Sequence, residues 1–268
     1  ENTETPEPLG APYIRITHED DADGVNSVSS SESGGLRAVP TPTYTDGEWG
    51  YEYNGDGATI VSYSGAGGNI VMPNTVGGRT VLAVGKGGSG ESVINNSSIS
   101  ANSTLTLPST ITHINRSAFG GCTNLTGPLV IPDSVTNIGN SAFSQTKFTS
   151  LSLPNGLTTI GDSAFMWGTS FTGELVIPDS VTYIGSYAFG YATFSGVLKL
   201  PTGLTNSGLN SSAFSQCPNF TSVIIPPSIT KLPASVFERC GFTTIDIPPT
   251  LTEMGSYSFA YSHVNDLI

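Results

Sequence analysis

The sequence predicts a solenoid, mostly β with short helical turns, and three observations carry that expectation. An apolar residue precedes proline at 73, 108, 132, 154, 178, 201, 226 and 248, and the last six intervals are 24, 22, 24, 23, 25 and 22 residues. After each of the last seven prolines an apolar residue stands three positions on and a threonine four positions on, from Ile111-Thr112 to Leu251-Thr252. A phenylalanine stands eleven positions on, at Phe119, Phe143, Phe165, Phe189, Phe237 and Phe259. Two extra residues near Ser207 and Gly208 displace the remaining one to Phe214. A unit this short cannot bury its own apolar side, so registered copies gain a core only by stacking on one another.

In chain order, residues 1–45 form an acidic, Ser- and Pro-containing N-terminal arm. Residues 1–50 carry ten acidic and two basic side chains, and the run from His18 to Ser33 is too poor in apolar residues to fold alone. Within the arm only Tyr13-Ile14-Arg15-Ile16-Thr17 alternates as a strand does, ahead of the link Val39-Pro40-Thr41-Pro42. Residues 46–107 are expected to be a β-hairpin cap followed by an irregular first repeat. Tyr51-Glu52-Tyr53 and Thr59-Ile60-Val61 flank Asn54-Gly55-Asp56-Gly57, residues that accept the positive φ of a hairpin turn. The hairpin is placed to cover the open edge of the first coil. Val76 and Val81-Leu82-Ala83-Val84-Gly85 then follow the repeat, but 86–103 is a Gly/Ser/Asn-rich insertion without an Ala-Phe pair.

Residues 108–268 are the regular repeats of 22–25 residues. Each opens on a short strand such as Leu129-Val130-Ile131, in which the residues three and one before the proline point inward and the one between points out. Proline ends the ladder because it has no N–H to donate. The next stretch, as in Val135-Thr136-Asn137-Ile138-Gly139, buries its two apolar residues, and a helical turn at Ser-Ala-Phe plugs the coil with the ring. Each ring is expected to lie between two coils. At the far end, Val264-Asn265-Asp266-Leu267-Ile268 restarts a strand where the next proline would follow, an edge open to a continuing chain or to docking.

This grammar, seen in Ile177-Pro178-Asp179-Ser180-Val181-Thr182-Tyr183-Ile184-Gly185-Ser186-Tyr187-Ala188-Phe189, resembles the BspA-like leucine-rich repeats of bacterial surface proteins over about residues 69–268. The resemblance implies a leucine-rich-repeat solenoid located extracellularly or at the cell surface, used for adhesion or for binding a protein or cell-surface ligand.

Composition excludes several other functions. The net charge of −12 has no compensating basic patch, which argues against nucleic acid and anionic lipid as partners. No apolar run reaches membrane-spanning length, so membrane insertion is not expected. His18, His113 and His263 sit in unrelated contexts, and no nucleophile elbow, phosphate loop or zinc-protease motif is present; no catalytic residue, metal ligand or cofactor is assigned. Glu19-Asp20-Asp21-Ala22-Asp23-Gly24 alternates acids as calcium loops do. The twelfth position from Glu19 is Ser30 rather than a bidentate glutamate, so a solvated acidic stretch is the better reading. Cys122, Cys217 and Cys240 all fall fourteen residues after their repeat proline once the two-residue insertion is allowed for. Other coils place Thr146, Gly168, Ala192 and Ser262 there, the mark of a packing site for small groups.

Binding is therefore assigned to the face of the continuous sheet, at the outward positions two before each proline. Val130, Ser152, Val176, Lys199, Ile224 and Asp246 are the candidate residues, with Val71 and Thr106 in the same row. The alternative is a structural subunit that self-associates head to tail through open solenoid ends into an extracellular filament or layer.

Overall fold

The computed structural model describes residues 43–88, 90–262 and 266–267. The strand expected at 13–17, the acidic run with its calcium alternative, and the Pro-containing link at 39–42 lie outside the described residues.

Three antiparallel strands open the structure: β1 (Tyr44–Asp46), β2 (Trp49–Asn54) and β3 (Gly57–Tyr63). Gly55, at φ 56°, occupies the turn between β2 and β3, as the Asn-Gly signal requires. β1 makes the cap one strand larger than a hairpin. Trp49, Tyr51, Ala58, Ile60 and Tyr63 are buried beneath it, with the Trp49 and Tyr63 rings 4.6 Å apart.

β3 passes directly into the solenoid. It runs parallel to Arg79–Val84, and the same sheet continues through His113–Ile114, Asn137–Ile138, Thr159–Ile160 and Tyr183–Ile184. Beyond that strand it shrinks to one bridge, Ile184 to Leu209, where the two extra residues of that coil form a turn: Ile184 N–H donates to the Gly208 carbonyl and Asn210 N–H to the Ile184 carbonyl. The threonine file runs beside this sheet. Thr158 Oγ1 donates to the Thr136 carbonyl at 3.0 Å, and Thr112, Thr136, Thr182 and Thr252 repeat the bond to the coil before them. Threonine recurs there because one residue supplies both a β-branched side chain and an inter-coil donor.

The repeat phenylalanines form one stack from Phe119 to Phe259, with successive centroids between 5.2 and 5.9 Å apart. Phe119 to Phe237 are fully buried, each contributing roughly 1.5–3 kcal/mol by burial. A second buried file, Phe148, Phe171, Phe194, Phe220 and Phe242, fills the coil beside it. Its rings meet the first file edge-on, as at Phe143 and Phe148, 6.1 Å apart.

The Ser-Ala-Phe stretch turns through bonds from alternate N–H groups to the carbonyl three residues earlier, such as Ala118 N–H to Asn115 and Gly120 N–H to Ser117. It does not propagate as helix, because the residues nine and thirteen after most prolines, such as Ser141 and Gln145, are left-handed at φ 56° and 60°. The N–H groups left over all point one way. Ser117, Phe119 and Gly121 donate to Asn140, Ala142 and Ser144 of the following coil, and the pattern recurs with few omissions to Arg239 and Ala260. Neighbouring coils come close here: a Cβ on Gly139 would lie 2.7 Å from the backbone nitrogen of Arg116. The strand expected near the C-terminus is present as Asp266–Leu267, parallel to Thr244–Ile245.

Candidate functional site

Strand alternation places the outward row as the sequence predicts. Val71, Thr106, Val130, Ser152, Val176, Lys199, Ile224 and Asp246 are all exposed, Val176 by 70% and Val130 by 60%. Register sets neighbours side by side: Val71 with Thr106, Ser152 with Val130, and Lys199 with Ile224. Read along the row, aliphatic and polar residues alternate without exception. The apolar side chains therefore recur every second coil.

The backbone beneath the row differs from the expectation. It is not a continuous sheet but separate parallel pairs: Asn69–Val71 with Thr104–Thr106, Thr126–Val130 with Lys147–Ser152, Gly196–Lys199 with Phe220–Ile224, and Thr244–Ile245 with the last strand. The continuous sheet carries His113, Asn137, Thr159 and Tyr183 instead. Gly127, Gly173 and Gly196 enter this face at positive φ, and Pro128 has no N–H to give to the preceding coil. Between Thr104–Thr106 and Thr126–Val130 only the Ser103 to Leu125 bridge remains. The strands part beyond it, leaving a groove of about 650 Å³ lined by Thr104, Thr106, Pro128, Val130, Asp133 and Ser134 among others.

The thiols lie in the core. Cys217 Sγ donates to the Phe189 carbonyl and Cys240 Sγ to that of Phe214, each at 3.1 Å, and both are free thiols in adjacent coils. Burial pushes Cys122 up to about 11 and raises Cys217 well above the ordinary thiol range, so both remain protonated at neutral pH.

A second row, absent from the sequence reading, lies on the turn side thirteen residues after most prolines. It runs Gln145, Trp167, Tyr191, Gln216, Arg239 and Tyr261, all left-handed at φ 57–62°. That conformation costs a side chain with a Cβ about 1–2 kcal/mol, and the first regular coil has Gly121 there. Trp167 stacks on Tyr191 at 3.8 Å and 14°, Gln216 Nε2 donates to Tyr191 Oη at 2.8 Å, and Arg239 lies 5.0 Å from the Tyr261 ring centroid. Reading the thirteenth position down the coils finds the row, but residues that do not favour left-handed backbone hide its geometry.

Among the described residues, no group of three or more His, Cys, Asp or Glu side chains is placed to hold a metal ion, and no helix is long and apolar enough to cross a membrane.

No curated protein matches the chain. Solved structures that share its fold include two leucine-rich repeat proteins. A leucine-rich repeat protein from Bacteroides ovatus is 23% identical with a TM-score of 0.60, over 79% of this chain and 61% of its own, so this chain spans about three fifths of its length. A leucine-rich repeat protein from T. pallidum is 26% identical with a TM-score of 0.50, over 80% of this chain and 82% of its own. The model of the BspA-type leucine-rich repeat region matches six copies, at residues 93–206 and 197–268. Carrying registered copies of that repeat over most of its length, the chain belongs to the BspA-type leucine-rich-repeat family.

Proposed function

We propose that this protein is a non-enzymatic, extracellular or cell-surface binding module, and that it holds a protein or cell-surface ligand on the outward strand row. The observation that carries the reading is the alternation of exposed aliphatic and polar side chains at Val71, Thr106, Val130, Ser152, Val176, Lys199, Ile224 and Asp246. Apolar anchors interleaved with hydrogen-bonding groups are the composition of a protein-binding patch, whose core excludes water while its polar groups fix register. The groove beside Val130 gives such a ligand a place to insert a side chain or an extended segment. The non-catalytic part of the reading rests on the thiols, the strongest nucleophiles of the described region, being buried and committed to backbone carbonyls.

The test is a capture experiment with the full chain immobilised against cell-surface extracts, comparing the natural protein with Val130→Ser/Val176→Ser/Ile224→Ser. Specific bands captured by the first and lost from the second, at an unchanged unfolding midpoint, support the assignment. Equal capture by both removes this face as the binding surface.

A further inference from the structure

We propose that the turn side carries a second, independent site, the groove at Trp167, which binds neutral pyranose-containing glycans. Trp167 is 42% exposed although Tyr191 covers one face of its ring. Tyr191 is itself held by the bond from Gln216, so the indole rests on a fixed support. Next to the indole, toward the preceding coils, is a groove of about 430 Å³ lined by Thr123, Gln145, Thr146, Lys147, Trp167 and Thr169. That volume lies within the roughly 300–1,000 Å³ range of ligand clefts.

The lining chemistry selects the ligand. Apart from the indole and one ammonium, the groove presents hydroxyls and a carboxamide, groups that both donate and accept. The Thr146 hydroxyl is committed to the Phe143 carbonyl and the Thr123 hydroxyl accepts from Asn96 Nδ2, but the side chains of Gln145, Lys147 and Thr169 make no hydrogen bond within the described residues. A pyranose has the complementary form: an apolar C–H face that packs on the negative face of an indole, and a rim of hydroxyls that donate and accept in turn. A single lysine in a chain of net charge −12 gives little attraction for polyanionic glycans, which points to neutral ones.

Trp167 occupies a backbone position at φ 62° that Gly121 holds in the first regular coil. The whole row shares that conformation, so the turn fixes the direction in which the Trp167 ring leaves the backbone, and glycine can stand there without strain.

The site is tested with the full chain and defined probes: mannohexaose, cellohexaose and maltoheptaose as neutral glycans, polygalacturonate as the acidic one, and a proline-rich peptide as the competing class. Trp49 is buried under the cap, so Trp167 is the exposed one of the two tryptophans. Binding of at least one neutral oligosaccharide should change the emission, and Trp167→Phe should alter that signal. Trp167→Gly suits the backbone, so it should keep the unfolding midpoint while weakening binding at least tenfold, whereas Trp167→Tyr should stay within about threefold of the natural protein. No neutral glycan bound at millimolar concentration, undiminished binding in Trp167→Gly, or a preference for polygalacturonate or the peptide would each overturn the proposal.

Discussion

The two sides of every coil are built by opposite rules. On the turn side alanine and phenylalanine recur at fixed positions, the phenylalanine rings from Phe119 to Phe237 are buried, and backbone bonds to the next coil recur almost without interruption. On the strand side the side chains vary from coil to coil and the hydrogen bonding breaks into pairs. The comparison teaches that the tight-turn side, together with the sheet that runs to Tyr183–Ile184, holds neighbouring coils in line, while the outward strand row is free to vary and to part where Pro128 and positive-φ glycines permit. A surface that varies without endangering the core is suited to recognition.

The largest expected effect is on the turn side. Phe165→Ala removes a fully buried ring with a neighbour on each side, at a cost of about 3–5 kcal/mol. Phe259→Ala should cost less, because Phe259 is only half buried and has a stacking neighbour in one coil. Urea midpoints of the two variants measure the contrast, and equal shifts would mean that the ring stack is not what holds the coils together.

Gly139→Ala sharpens the comparison by adding a single methyl group. Its Cβ meets Arg116 backbone at 2.7 Å, so the coils must separate locally, at roughly 1–3 kcal/mol. Alanine at Gly121, with φ 75° and open space around it, should produce only the smaller cost of its backbone conformation. Thermal denaturation of the pair separates close approach from conformation, and a milder effect at Gly139 would refute the crowding argument.

Substitution on the strand side should leave stability almost unchanged. Val130→Ser/Val176→Ser/Ile224→Ser alters exposed positions and is expected to move stability by no more than about 0.5 kcal/mol per site. A larger loss would show that these side chains support the pairs beneath them.

The smallest effect concerns pH. The Thr202 backbone N–H, 2.9 Å from Asp179 Oδ1, holds that carboxyl below the usual carboxylate value, with further help from the Thr202 hydroxyl. A depressed folded pKa contributes stability above the unfolded value and loses it as pH falls through the folded one. Because Asp179 is exposed, the effect should register as a shifted titration in a carboxylate NMR experiment and as a marginal change in acid stability, both absent in Asp179→Asn.

The features legible in the sequence are those tied to residue type. Proline spacing locates the coils, and alternation before each proline orients Val130, Val176 and Ile224 outward; the two extra residues near Ser207 are visible as a displaced phenylalanine, but that the sheet breaks there is seen only in the structure. The second phenylalanine file is harder to read because Phe148, Phe171, Phe194, Phe220 and Phe242 alternate between sixteen and seventeen residues after their prolines, once the insertion is allowed for, and Leu125 takes the place in the first regular coil. The parting of strands beside Val130 depends on the φ of Gly127 acting together with Pro128, and a glycine in a sequence does not declare its φ. The Trp167 row went unread because tryptophan, tyrosine, glutamine and arginine have no common conformational preference that would mark their position as left-handed.

The bonds running from each turn to the next coil also determine how the solenoid would respond to tension. A chain pulled by its two ends loads the outermost coil first, and among the described residues the coil of Phe259 is joined to a neighbour on one side only, by the turn bonds, two short parallel strand pairs and one side of the ring stack. Coils should therefore peel off singly instead of shearing together. Each would release its 22–25 residues, roughly 70–85 Å of contour when fully extended, in exchange for one inter-coil spacing of roughly 4.8 Å. Such a molecule lengthens in steps under load, leaving the exposed rows on the remaining coils intact.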